Sequence, residues 1–288
     1  MRIALIYNKE TEATTACYIE RVMKKMGMDY VHFWTQDSSH IPKGFDLYFR
    51  IDHGDYKYDI LDSLRPAVFY AIDTHLEKPY RKIKKQAGHY DIVFCVHRDG
   101  ARRLRKEIKA DTQWIPVACD PEIHRKLDLP KTYDIGFVGR GGKKSARERH
   151  LRILKEKYPN SFIGTLDFKK MSEAYSASRI GFNSSLKNDI NMRVFEIMAS
   201  GCFLLTDCIK DNGFDDLFEA GKHLVIYKDD RELLQLAEYY LKNEEEREKI
   251  AKQGYEWVVQ NHTYFHRVQK MFNYIAFKFG GKFNDLRI

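Results

Sequence analysis

Between Asn188 and Asp207 the chain reads NDINMRVFEIMASGCFLLTD, which sets one acid, Glu196, among apolar and small residues. Arg193 and Ser200 lie at i−3 and i+4 from it, so on a helix the three share a face. Asp189 or Asn191 can cap that helix, because a short polar side chain takes up a free backbone N–H. Gly201 can end it in the left-handed conformation. A helix N-terminus with an arginine in its first turns suits a phosphate, and a carboxylate one turn deeper suits sugar hydroxyls. CFLLT then reads as a strand buried on both faces, as parallel strands are.

Strands and helices alternate along the whole chain, the pattern of α/β folds with parallel sheets. Strands are predicted at 3–7, 30–34, 46–51, 67–72, 91–96 and 112–116, with helices over 13–27, 78–87 and 99–109. Residues 117–131 hold two prolines and no clean period, and read as a connection. A second series opens with the strand YDIGFVG (133–139), a glycine-rich turn and a helix over about 144–158. Strands at 161–165, 179–183, 202–207 and 223–227 follow, with helices at 168–177, 189–201, 230–242 and 244–260. HTYFHRVQKMFNYIAFKF closes the chain as a helix with an aromatic stripe. Its Tyr264, Phe265, Phe272, Tyr274 and Phe277 read as packing residues.

The chain has 288 residues, 43% of them hydrophobic and 14% aromatic, which excludes a disordered protein and allows two domains. Its apolar runs are too short for a transmembrane span or a signal peptide. Five cysteines without a CxxC pair read as free thiols of a reducing cytoplasm. The net charge is +8. Its basic runs at 81–85 and 101–109 read as solvated helix faces. Such faces also attract an anionic lipid surface, a nucleic acid or a diphosphate.

IGFVGRGGKK, NMRVFEIMASGCFLLTD, IPVACDPEIH and HTYFHRV together resemble a GT-B glycosyltransferase of the family 4 type (glycosyl transferases group 1). The resemblance is nearest to the CgeB-like, spore-maturation-protein branch. It covers most of 112–275; VFYAIDTH and DIVFCVHRDG extend it loosely into the N-terminal half. It implies two Rossmann-like domains facing across a cleft, with the last helix crossing back to the first. The expected limits are an acceptor domain at 1–117, a nucleotide-sugar domain at 132–262 and the crossover helix at 263–288. The implied activity moves a hexose from a UDP-, GDP- or dTDP-sugar to an unidentified acceptor: a glycan, a lipid-linked glycan, a protein or a nucleobase. It implies no cofactor and no metal, retention of the anomeric configuration, and a cytoplasmic place with optional peripheral contact at the inner membrane face.

By the same resemblance Glu196 grips the donor ribose hydroxyls, since a carboxylate accepts two hydrogen bonds from a vicinal diol. Arg140, Lys143 and Lys144 neutralise the leaving diphosphate, while Gly139, Gly141 and Gly142 let the backbone approach it. Arg193 reaches a donor phosphate. The family's earlier glutamate, eight residues before, is replaced by Asn188, so Asp189 or Asn191 takes over its sugar contacts. Asp73 and His75, ending the 67–72 strand, are the acid–base candidates. Asp52 with His53 is the backup pair, and His97 ends the next strand. The usual glycine-rich turn near 8–12 is absent; NKETEATT offers Asn8 and threonines. The rival readings are a glycosyltransferase acting on nucleobases, a non-catalytic sugar-nucleotide sensor, and another α/β enzyme such as an epimerase.

Overall fold

The computed structural model describes residues 1–286. By internal contacts the chain forms two compact units: residues 1–117 with the chain from Tyr264 onward, and Ala118–Thr263.

The first unit begins β1 (Arg2–Ile6), α1 (Thr15–Lys25), β2 (Asp29–Phe33), a 3-10 turn (Thr35–His40), β3 (Leu47–Ile51) and β4 (Ala67–Ala71). It continues α2 (Glu77–Ala87), β5 (Ile92–Cys95), α3 (Arg98–Ile108) and β6 (Thr112–Trp114). The second unit runs β7 (Tyr133–Val138), α4 (Ala146–Lys157), β8 (Phe162–Gly164), α5 (Met171–Ser176), β9 (Ser178–Phe182) and α6 (Met192–Ala199). Then come β10 (Phe203–Asp207), α7 (Phe214–Leu217), β11 (Val225–Tyr227), α8 (Asp230–Lys242) and α9 (Glu244–Asn261). The chain then returns to the first unit through α10 (Tyr264–Phe279).

Both sheets are wholly parallel. The first has the order β2-β1-β3-β4-β5-β6 and the second β11-β10-β9-β7-β8. In the middle of the first sheet β4 is AVFYA, and every residue is buried. In the second sheet the winding reverses between β7 and β9, which opens a crevice beyond their carboxyl ends, where α/β sheets bind ligands.

Residues 118–131, read as a connection, belong to the second unit. The Arg125 and Leu127 N–H groups donate to Ser172 Oγ and Ser176 Oγ on α5, both at 3.0 Å. In α10 the stripe divides. Tyr264 and Phe272 are buried, and the Tyr274 hydroxyl donates to Asp111 at 2.7 Å, whereas Phe265 and Phe277 stand exposed. Cys17, Cys95, Cys119 and Cys202 are buried free thiols and Cys208 is exposed. Among the described residues no helix is long and apolar enough to cross a membrane.

Candidate active site

The crevice of the second unit is bounded by the turn after β7 and the first turn of α6. Gly139 begins the turn at φ +143°, and a Cβ there would lie 2.4 Å from Arg193 Nη2. Glycine suits 139 because of that backbone conformation, and a side chain there would push the end of Arg193 aside. Arg193 lies against the Phe137 ring, 4.4 Å from its centroid. Its Nε donates to Val138 O at 3.0 Å and its Nη1 to Asn183 Oδ1 at 3.1 Å. It thus ties α6 to the ends of β7 and β9 and leaves Nη2 beside the turn.

Ser145 caps α4, accepting the Glu148 N–H at 3.2 Å, and Glu148 Oε2 accepts the Lys144 N–H at 2.7 Å. This variant of the capping box fixes the phase of α4. It carries Arg147 inward, to 6% exposure. Arg147 Nε donates to Ser184 O at 2.6 Å and Nη1 to Arg140 O at 3.5 Å. No carboxylate among the described residues lies within ion-pair distance of it. Burial, and then the Arg193 guanidinium, hold its pKa below the usual arginine range. Arg140, Lys143 and Lys144 are exposed on the same turn, likewise without ion-pair partners among the described residues. Arg147 escaped the sequence reading, although Ser145-x-x-Glu148 signals the cap that places it.

Glu196 is 6% exposed, and burial pushes its carboxyl up to about 7 against the pull of Arg193. No donor among the described residues is within hydrogen-bond distance of its carboxylate. His124 Nε2 stands 3.6 Å away, too long for a hydrogen bond. The Asp120 N–H occupies His124 Nδ1 at 3.1 Å, so the ring proton belongs on Nε2, facing the acid. His124 ends the IPVACDPEIH stretch that contributes to the resemblance, but it lies in the segment without a period and was given no role.

The other expected residues fall as follows. Neither Asp189 nor Asn191 caps α6 with its side chain, contrary to expectation. Asp189 Oδ1 accepts the Leu186 N–H at 2.7 Å and closes a turn. Asn191 holds the N-cap position without a side-chain bond, and both its amide atoms are inaccessible and without partners. Asn188, at φ +64°, pairs with the backbone of Lys210 through both ends of its amide, at 2.5 and 2.8 Å. That places it in a loop contact. A groove of about 830 Å³, lined by Arg149, His150, Asp207, Lys210 and Tyr227, opens nearby; Glu196 and Arg193 do not line it.

In the first unit, Asp73 and His75 follow β4. The His75 ring lies 4.2 Å from that of His97, which follows β5. Burial, and then His75, push His97 down to about 3, so it is neutral at pH 7. Asp52 is committed to structure. It accepts the Gly54 N–H at 2.9 Å, the Ile72 N–H at 3.0 Å and the Tyr56 hydroxyl at 3.1 Å, clamping the end of β3 to that of β4. No group of three or more His, Cys, Asp or Glu among the described residues can hold a metal ion.

This fold is the GT-B fold of glycosyltransferases. A family model described as glycosyl transferase-like matches residues 137–273. No curated protein matches the sequence. Anabaena HepE, solved with UDP and glucose, is similar at TM-score 0.68 and 11% identity, over 96% of this chain and 99% of its own. An alpha-glucosyltransferase solved with UDP-glucose and DNA containing an abasic site gives 0.66 and 14%, over 96% and 99%. A glycosyltransferase from Rickettsia africae gives 0.66 and 10%, over 98% and 99%.

Proposed function

We infer that this chain is a glycosyltransferase that takes a nucleoside diphosphate sugar in the second unit and transfers a hexose from it. One observation carries the reading. Next to one arginine, Arg193, lie a buried carboxylate with no hydrogen-bond donor, Glu196, and a buried guanidinium with no ion-pair partner, Arg147. Both are costly unless a ligand completes them. A ribose diol supplies two donors to the carboxylate, and a diphosphate supplies the anion.

The diphosphate would lie on the Gly139–Ser145 turn with Arg140, Lys143, Lys144 and Arg147 around it and Arg193 fixing the turn from behind. These cations neutralise the departing nucleotide without a metal. Asn191, whose buried amide lacks a partner, is kept as the sugar-contact candidate, which requires the first turn of α6 to open its amide to the ligand. Asp73 and His75 are kept as acid–base candidates, and retention of configuration and the CgeB-like branch are part of the same reading. UDP ranks first among UDP, GDP and dTDP because two of the three similar structures above carry UDP or UDP-glucose. A cytoplasmic place fits five unpaired thiols.

A thermal-shift series of these nucleotides and their sugars tests the reading. One nucleotide should stabilise the wild type and fail on Glu196→Ala; no response to any would refute a donor site. A shift without hydrolysis or transfer would mean a sensor, and an inverted product anomer by NMR would sink retention.

A further inference from the structure

The chain's positive charge is concentrated in one place. Residues 77–109 hold eleven Lys and Arg against four Asp and Glu, which is +7 of the net +8. This segment builds α2 and α3, which lie side by side on the first unit.

Between the two helices the charges are matched. Glu77 accepts from Arg81 at 3.2 Å and from Arg103 at 3.4 Å. Glu107 pairs with Lys84 at 2.9 Å and with Arg103 at 3.7 Å. Arg103 also lies 3.6 Å from the Tyr80 ring centroid. This ladder consumes both helical glutamates. Outside it, each helix shows a stripe at i, i+4 and i+7: Lys78, Lys82 and Lys85 on α2, and Arg102, Lys106 and Lys109 on and just past α3. All six are exposed. Arg102 reaches Asp99 only at 3.9 Å, and the five lysines have no carboxylate within ion-pair distance among the described residues. Like charges one turn apart weaken their own helices, so two such stripes are a standing cost that a polyanion would relieve.

We propose that the α2–α3 face docks the protein reversibly on an anionic lipid surface. The chemistry of the face favours headgroups over nucleic acid. Its outer cations are five lysines and one arginine, point charges that suit a diffuse layer of phosphates. The planar guanidinium forks that read phosphates and bases bidentately are mostly spent elsewhere: Arg81 and Arg103 in the ladder, Arg105 on Thr112 O. No exposed aromatic of these helices is available to stack on a base. One exposed apolar group does stand near the end of α3. Phe277 is 75% exposed, and its neighbour Lys278 pairs at 2.7 Å with Asp111, three residues beyond that helix. An aromatic beside lysines suits the headgroup layer. The proposal does not depend on the glycosyl-transfer reading.

The test is sedimentation of the full chain with vesicles of phosphatidylcholine, with and without phosphatidylglycerol, at physiological salt. Binding is expected only to the anionic vesicles and should fade as salt is raised. Each lysine near such a surface contributes about five-fold, so K78E/K82E/K85E should weaken binding by ~100-fold or more. The α3 set, R102E/K106E/K109E, should do the same, so misfolding of one variant leaves the other to decide. K222E/K249E/K252E, the same charge change placed on the second unit, should bind nearly as the wild type does. Overturning results are no binding to anionic vesicles, equal loss in the second-unit control, or binding to a duplex oligonucleotide without binding to vesicles.

Discussion

Two buried arginines, one in each unit, are partnered in opposite ways. Arg50 lies inside β3 at 1% exposure. Its Nη1 meets Asp59 at 2.7 Å and its Nη2 donates to Asp55 O at 3.1 Å; the guanidinium lies 4.9 Å from the Phe69 ring centroid. Burial works against its charge, yet Tyr90 and Asp59 more than offset this and raise its pKa. Arg147 is nearly as deep, but it has no ion-pair partner; burial and the Arg193 guanidinium outweigh the more distant Asp189 and Asp207, and its pKa falls. Arg247, in the second unit, follows the Arg50 pattern, with Glu244 and Glu248 each at 3.4 Å. Burial alone therefore does not single out Arg147 among the buried arginines; burial without an ion-pair partner does.

The largest expected effect tests the structural half of that contrast. Arg50→Met would leave Asp59 in a half-dry site with no cation but His89 to face it, beside the Tyr90 hydroxyl and the Ile60 N–H. Breaking a buried pair from one side costs about 3–5 kcal/mol, read from the urea midpoint at constant slope. Should Arg147→Met cost as much, the two arginines would be alike and the contrast would fail.

Next in size is the pH dependence set by Glu196. Its folded pKa of about 7 lies above its ordinary value of 4.5. Below the unfolded value both states hold the proton and the stability is fully present. Between the two values the folded chain keeps a proton that the unfolded chain has lost, so stability falls as pH rises and levels off above the folded value. The full loss is about 3 kcal/mol. Glu196→Gln should flatten that slope in denaturation curves taken across the window. A slope unchanged in the variant would place the titration elsewhere. Arg147→Met comes third. Its own stability should stay within about 1 kcal/mol of the wild type, because a repulsion is relieved, while its stabilisation by UDP drops by about 2 kcal/mol.

What could be read beforehand follows from the range of the interactions. The strands and helices rest on local apolar periods, and Glu196 stood out because its immediate neighbours are apolar. The two arginines did not stand out. Asp59, the partner of Arg50, sits in a loop without a period. Arg147 and Arg149 are two residues apart, yet one is buried near Arg193 and the other is exposed with Asp230 at 2.9 Å. Only the helix phase separates them. Asn188, which stands in the place of the family's earlier glutamate, gives no local sign of its loop contact, because its partner, Lys210, lies twenty-two residues away in sequence. The 3-10 turn at Thr35–His40 and the short α7 follow no hydrophobic repeat and were also missed.

The smallest effect compares two helix caps, one per unit. Thr14 caps α1 by accepting the Cys17 N–H at 3.3 Å. Ser145 caps α4, and its hydroxyl also donates to Gly142 O at 2.6 Å, across the turn that carries Arg140, Lys143 and Lys144. Alanine at either position removes one cap, at about 1 kcal/mol. The two losses of stability should therefore be similar. The response to a nucleotide should not be, since only Ser145 also holds the turn in shape. Thr14→Ala should keep the full UDP-induced rise in melting midpoint per unit of ligand, and Ser145→Ala should lose part of it. Equal responses in the two variants would mean that the turn after β7 keeps its shape without its serine, and that its cations meet the ligand by charge alone.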